Sequence, residues 1–317
     1  MYETVLVADR GFLAVRVLRS CQRLGVKALT LVQPGDESAP HAQAADEPVP
    51  FAPVDPEELA PALIEAAQVS GAQAIHPGGS IPRWSAALAE AIRSAGIDWL
   101  GPDELPAAAR LTDGDVGVTL VDGRVVDGWR WRARDSGRPS VAESVTPDAA
   151  LVATAEQAAA GARWPVVSMS AGTQSGALLA VRPALAGVDR LVEARTGIDL
   201  VAHQLRTGCG DAPEPASEPR GYALAVALFA RPGQPAGAVA GWQPPQVEDV
   251  VVDTWLAQGR EASSWPGDPL VALTAAGSDR GQALDRLREA VDQLRLDTPD
   301  TGLSAVRALL RDASMVG

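Results

Sequence analysis

The sequence predicts an α/β protein: a doubly wound parallel sheet first, then a turn-rich antiparallel middle, then an α+β end. Three observations carry this. Over residues 4–102, short apolar runs alternate with amphipathic runs at the spacing of parallel α/β units. Glycines then crowd positions 114, 117, 123, 128 and 137 among hairpin signals. Two amphipathic runs close the chain after further strand-like segments.

TVLVAD (4–9) is an apolar strand, and Gly11 opens the amphipathic run FLAVRVLRSCQRLG. KALTLVQ (27–33) is the next strand, and PEELAPALIEAAQVSG is a helix with Pro at its first turn. AQAIHPGG is a strand ending in a glycine loop, PRWSAALAEAIRSAG a helix, and IDWLGP a closing strand. This is a Rossmann-type half without a G-x-G-x-x-G fingerprint, so it is not read as a dinucleotide site. VTLVDGRVV predicts a hairpin with an Asp-Gly turn, and WRWRARD a following strand. A helix over 149–161 leads into a second hairpin, VVSMS-AGTQSG-ALLAV, and one helix is expected over about 187–207. Past the loop CGDAPEPASEPRG, strands are expected at 222–230 and 248–257, then two helices with i, i+4 charge pairing.

Composition narrows the function. Apolar content of 46% and charged content of 21% suit a globular chain with a core. Net charge is −13, which repels phosphate backbones and anionic membranes, so nucleic acid and lipid are poor partners. No run of eighteen apolar residues exists. MYETVLVADRG lacks the pattern of a signal peptide, and two cysteines make no disulfide framework, so a cytoplasmic protein is expected. Lys27 is the only lysine. A mechanism that needs a catalytic or phosphate-binding lysine must use that residue.

Several stretches together resemble the biotin carboxylase component of biotin-dependent carboxylases, an ATP-grasp family. VLVADRGFLAVRVLRSCQRLGVKALTLV is similar to the family's opening V-x-I-A-N-R-G-E-I-A-x-R-x-x-R-x-x-x-x-L-G-I. AADEPVPF, SGAQAIHPGG and GIDWLGP follow in its order and spacing. TGIDLVAHQLRTGCGDAP and PRGYALAVALFARP resemble T-G-x-D-L-V-x-x-Q-L and R-G-H-A-I-E-x-R-I, while DVVVDTW and GSDRGQALDRLREAVDQL match its last strands and helix. The resemblance implies a Rossmann-like (pre-ATP-grasp) N-terminal domain over 1–112, an ATP-grasp core over 113–208 and a biotin carboxylase-like C-terminal α+β domain over 209–317.

Two departures separate the chain from an active member. The family's mobile ATP lid, with its lysine and glycine-rich loop, is missing: the sequence around Arg110–Asp115 runs directly into VTLVDGRVV. The core is therefore expected truncated, without a lid. Residues 165–188 contain no Asp, Glu or Lys. Aligned without gaps from Thr196-Gly197, the two metal carboxylates fall on Ser168 and Ala180, and the Asn on Arg182. The catalytic Arg falls on Ala184, Gln-Val-Glu on Ala186, Gly187 and Val188, and a further Arg on Ala227. In a rival register WPVVSMSAGTQSG is a remnant of the lid's phosphate loop, the ATP lysine falling on Met169 and the glycine run reduced to Gly172 and Gly176. Either way the ligands are gone. Phosphoryl transfer needs Mg²⁺ on hard oxygens and cations on the phosphates, so neither ATP nor another cofactor is expected.

The expectation is a degenerate biotin carboxylase homologue, a pseudoenzyme acting as scaffold or regulatory partner. The alternative is a repurposed ATP-independent cyclase, isomerase or lyase working on a biosynthetic intermediate in the open cleft. Candidate catalytic groups for that alternative are Arg182, Asp135, Arg134, Glu193 and His76, with cleft walls at Trp84, Trp242, Arg138 and Asp189. Arg182 would pair with Asp189 or Glu193 if it were merely structural. His76 ends a strand beside a glycine turn, where bonding the loop backbone is its plainer role, and Cys21 is read as core. His203 and Cys209 lack zinc-site spacing, so no metal site is expected. A homodimer is expected, the family commonly pairing through its first helix, here with Arg16, Arg19 and Arg23. A carboxylase subunit or a small organic ligand are the further candidate partners.

Overall fold

The computed structural model describes residues 1–52, 54–78, 85–101, 116–133, 139–160, 166–171, 178–183, 189–212, 214–229, 239–254, 256, 258–259, 269–297 and 302–312. The N-terminal part alternates β1 (Thr4–Val7), α1 (Gly11–Arg23), β2 (Lys27–Val32), α2 (Pro40–Ala44), β3 (Glu47–Pro50), α3 (Leu59–Ser70), β4 (Ala74–His76), α4 (Ala86–Ser94) and β5 (Asp98–Trp99). The strands form one parallel sheet in the order β3-β2-β1-β4-β5. α1 buries Phe12, Leu13, Val17, Leu18 and Cys21 on one face. α3 and α4 bury Leu63, Ala67, Leu88 and Ile92 on the other, the doubly wound arrangement the alternation predicts. The edge strand β3 and the short helix α2 were not expected. Its sequence EPVP holds two prolines, which a ladder tolerates at an edge.

The rest of the chain builds one antiparallel sheet in the order β10-β9-β6-β7-β8-β11-β14-β13. Its strands are β6 (Val116–Val121), β7 (Arg124–Ala133), β8 (Pro139–Val145), β9 (Val166–Ala171), β10 (Leu178–Pro183), β11 (Tyr222–Leu228), β13 (Val250–Thr254) and β14 (Val271–Gly277). Asp122 and Gly123 join β6 to β7 with φ of 50° and 77°, the type I′ geometry their sequence predicts. WRWRARD does not begin a new strand: through Ala133 it continues the second arm of that hairpin, and β8 is the additional strand. Only residues 100–115 separate β5 from β6, too few for an independently folding lid there.

Helix α5 (Ala149–Ala159) packs Ala155 and Ala159 on Val118 and Leu120 of β6. The single helix expected over 187–207 is two, α6 (Asp189–Thr196) and α7 (Leu200–Gly208), broken at Gly197. Asp199 starts α7 by accepting from the Ala202 amide at 3.0 Å, so the break is capped rather than frayed. α6 lies on β7, β8 and β11 through Leu191 and Val192, against Trp129. α8 (Arg280–Gln293) and α9 (Leu303–Leu310) cover the opposite face through Leu284, Leu287, Val291 and Leu310. The small pair β12 (Gly241–Gln243) and β15 (Arg295–Asp297) flanks that core. No described helix is long and apolar enough to cross a membrane.

Candidate functional site

The strand order reverses between β1 and β4, and the crevice at the carboxyl ends of such strands is where open α/β sheets receive ligands. Asp9 leaves β1 there, buried, with one oxygen accepting from the Arg10 amide at 2.8 Å. Arg10 reaches Asp36 at 3.3 Å. Facing Asp9 from β4 is Gly78, with φ of +67°; a Cβ there would stand 1.9 Å from Asp9 Oδ2. His76 Nδ1 accepts from the Gly78 amide at 3.0 Å, which leaves the ring proton on Nε2 to donate to Gln204 Oε1 at 3.1 Å. Burial holds this imidazole at about 4, against the Gln204 bond, and the Arg16 charge adds to the depression. His76 is therefore a neutral tie between the glycine loop and α7.

Beneath this crevice lies a buried ion network. Arg16, in the middle of the apolar face of α1, donates to Glu193 at 2.7 Å and stands 3.7 Å from Asp189. Arg190 donates to the other Glu193 oxygen at 2.7 Å and grips Asp253 of β13 through two bonds of 2.7 and 2.8 Å. Glu193 also accepts from the Leu200 amide at 3.0 Å. Glu193 and Asp253 are thus met by hydrogen-bond donors, as buried charges require, while Asp189 faces Arg16 as an ion pair beyond hydrogen-bond distance. α1, α6 and β13 are joined through it.

Of the candidates named from sequence, Asp189 and Glu193 come together in this network, with His76 close enough to Arg16 to feel its charge. Trp242 stands apart, paired across β12–β15 with Leu296 and half-buried against the C-terminal core. Arg182 lies in β10 opposite Ser168 of β9, and Ala180 opposite Ser170. Trp84, Arg134, Asp135 and Arg138 lie outside the described residues. Arg190 and Asp253 were missed, and Arg16 was read only as part of the first helix. A cation inside the apolar stretch FLAVRVL was the available signal.

Lys27 opens β2, at the end of the sheet away from Asp9 and His76, and its Nζ is 2.7 Å from Glu47 of β3. Among the described residues no group of three or more His, Cys, Asp or Glu is set to hold a metal ion.

A parallel pre-ATP-grasp sheet followed by a large antiparallel sheet defines the class: the fold is that of biotin carboxylase domains. The Hydrogenobacter thermophilus 2-oxoglutarate carboxylase biotin carboxylase domain, solved as a dimer with MgADP and bicarbonate, superposes with a TM-score of 0.83 at 17% identity, over 99% of this chain and 95% of that one. Campylobacter jejuni biotin carboxylase superposes at 0.84 and 15% identity, over 100% and 96% of the two chains. Residues 1–105 match the family described as biotin carboxylase, N-terminal domain. Over 105 residues the chain is 40% identical to Pseudomonas aeruginosa biotin carboxylase, covering 32% of this chain and 23% of that one. The match thus spans about a quarter of that curated relative, and sequence kinship is concentrated in the N-terminal domain.

Proposed function

We propose that this biotin carboxylase-like protein is a non-catalytic scaffold or regulatory partner that neither binds MgATP nor carboxylates biotin. The observation that carries the reading is the fate of the charged groups. The one lysine is spent on Glu47 at the far end of the parallel sheet. Asp189 and Glu193 are engaged with Arg16, and Glu193 with Arg190 too. The strands β9 and β10 carry no acidic residue and one cation, Arg182. Losing a single electrostatic contributor costs on the order of 10²–10³ in rate; here metal carboxylates and phosphate lysines are replaced together. Recruitment as an ATP-independent enzyme is the weaker reading, because Asp189 and Glu193, two of the groups it would use, already hold the fold together. We further propose a homodimer as the working form, with a carboxylase subunit as the partner.

Calorimetric titration with MgATP, repeated with bicarbonate and free biotin present, tests this. No heat and no bicarbonate-dependent phosphate release are expected. A dissociation constant in the micromolar range would overturn the proposal.

A further inference from the structure

Helix α6 is tied to the large sheet near both ends by arginine–aspartate pairs, and the two pairs are built differently. Near its start Arg190 grips Asp253 of β13 through two bonds of 2.7 and 2.8 Å. Near its end Arg195 meets Asp127 of β7 through one bond of 2.6 Å, from Nη1 to Oδ1. The Gly128 amide donates to that same oxygen at 2.8 Å. Asp127 Oδ2 and Arg195 Nε are buried, and neither has a hydrogen-bond partner. A bidentate fork satisfies a buried carboxylate, whereas this arrangement leaves one oxygen to bear the cost of desolvation.

Asp127 owes its place to a shift in register. Thr119 pairs with Asp127 and Leu120 with Val125, so Val126 is the extra residue of a β-bulge, a feature that re-aims side chains beside it. Among the described residues, Arg195 of α6 is the charged group acting on Asp127. Thr119, its neighbour on β6, is uncharged, and Glu156 of α5 is engaged with the Val125 amide. Burial pushes the Asp127 carboxyl up to about 6, and Arg195 and the Gly128 amide offset this only in part.

What lies beyond Arg195 can move with it. Gly197, with φ of 72°, ends the helix. The carbonyls of Arg195 and Thr196 accept from the Arg220 and Ser217 amides at 2.9 and 3.3 Å, so residues 217–220 ride on the last turn of α6. Thr196, Gly197, Ile198 and Ser217 also line a cleft of about 300 Å³. Displacement of that turn therefore shifts residues 217–220, reshapes the cleft and lets water reach Asp127 Oδ2.

From this asymmetry we infer that Asp127 and Arg195 form a proton-operated latch on the α6–α7 corner, closed with the proton on Asp127 and loosened when the carboxyl ionises. The sign follows from linkage. In the open corner water restores an ordinary carboxyl, so the closed corner holds the proton more tightly and opening grows as pH rises through about 6. The latch belongs to the fold and stands whether or not MgATP binds.

Hydrogen exchange resolved by residue on the full chain, corrected for intrinsic rates, is the test. From about pH 5 to about pH 7.5, protection of the Ser217 and Arg220 amides is expected to fall about tenfold relative to the amides of β11. Asp127→Asn is expected to abolish the fall, and His76→Asn to leave it in place. Arg195→Met removes the cation that favours the ionised carboxyl, so it is expected to move the fall to higher pH; this variant carries the test should Asp127→Asn fold poorly. Flat protection of Ser217 and Arg220 in the parent would overturn the inference. So would an equal fall in β11, a fall that survives Asp127→Asn, or a profile that Arg195→Met leaves in place.

Discussion

At the scale of single residues, His76 makes the clearest forecast. Its imidazole stays neutral in the folded chain down to about 4, whereas 6.5 is its ordinary value. Between those pH values the unfolded chain binds a proton that the folded chain refuses, so stability falls as pH drops through that window. The slope from this group is about 1.4 kcal/mol per pH unit, levelling off below its folded value. Asp127, whose buried carboxyl is pushed up to about 6, contributes the opposite slope over part of this window. The loss is therefore read as the difference between urea titrations of the parent and of His76→Asn from pH 7.5 to 4.5, with His76→Asn also expected to lower stability at neutral pH. Gly78 is the neighbouring test. Alanine there would combine a φ of +67° with a Cβ 1.9 Å from the Asp9 carboxylate. A loss of about 2 kcal/mol or more is expected in thermal unfolding.

At the scale of elements, the α6–α7 corner depends on one side chain. Asp199→Ala removes the α7 cap together with the ties to Ser20 and Arg23. Because Arg23 is largely exposed, most of the cost is the cap, about 1–2 kcal/mol by chemical denaturation. This corner also shows where sequence stops being sufficient. The apolar period runs across Gly197 without interruption, so one helix was expected, and the break became visible only with Asp199 capping a new start. α1 was legible because its apolar face repeats every three to four residues. β3 was not, since EPVP neither alternates nor avoids proline, and neither was β14, whose VALTAAG is rich in weak strand formers. The candidate site was legible only in part. His76 announced itself beside its glycines, whereas Arg16 meets Glu193 across 177 positions, a distance no local spacing encodes.

At the scale of the whole molecule, the ion network and the continuous sheet act together. Arg190→Met strips the donors from buried Asp253 and one oxygen of Glu193, and such a break costs about 3–5 kcal/mol. Pairing it with Asp253→Leu is expected to recover part of that loss, measured by denaturant midpoint. Light scattering at micromolar concentration is expected to give the mass of a dimer; a monomer would refute the proposed assembly. The sheet order has a consequence for synthesis. β8 emerges well before β11, yet on its open side it has no partner until Leu224, Ala225 and Val226 arrive to meet Glu143, Ala142 and Val141. A nascent chain that has passed residue 145 but not 226 therefore carries an unpaired apolar strand edge out of the ribosome, the kind of edge that templates aggregation. Slowing translation between those points should send the product into inclusion bodies, and a chaperone that shields the β8 edge should rescue it.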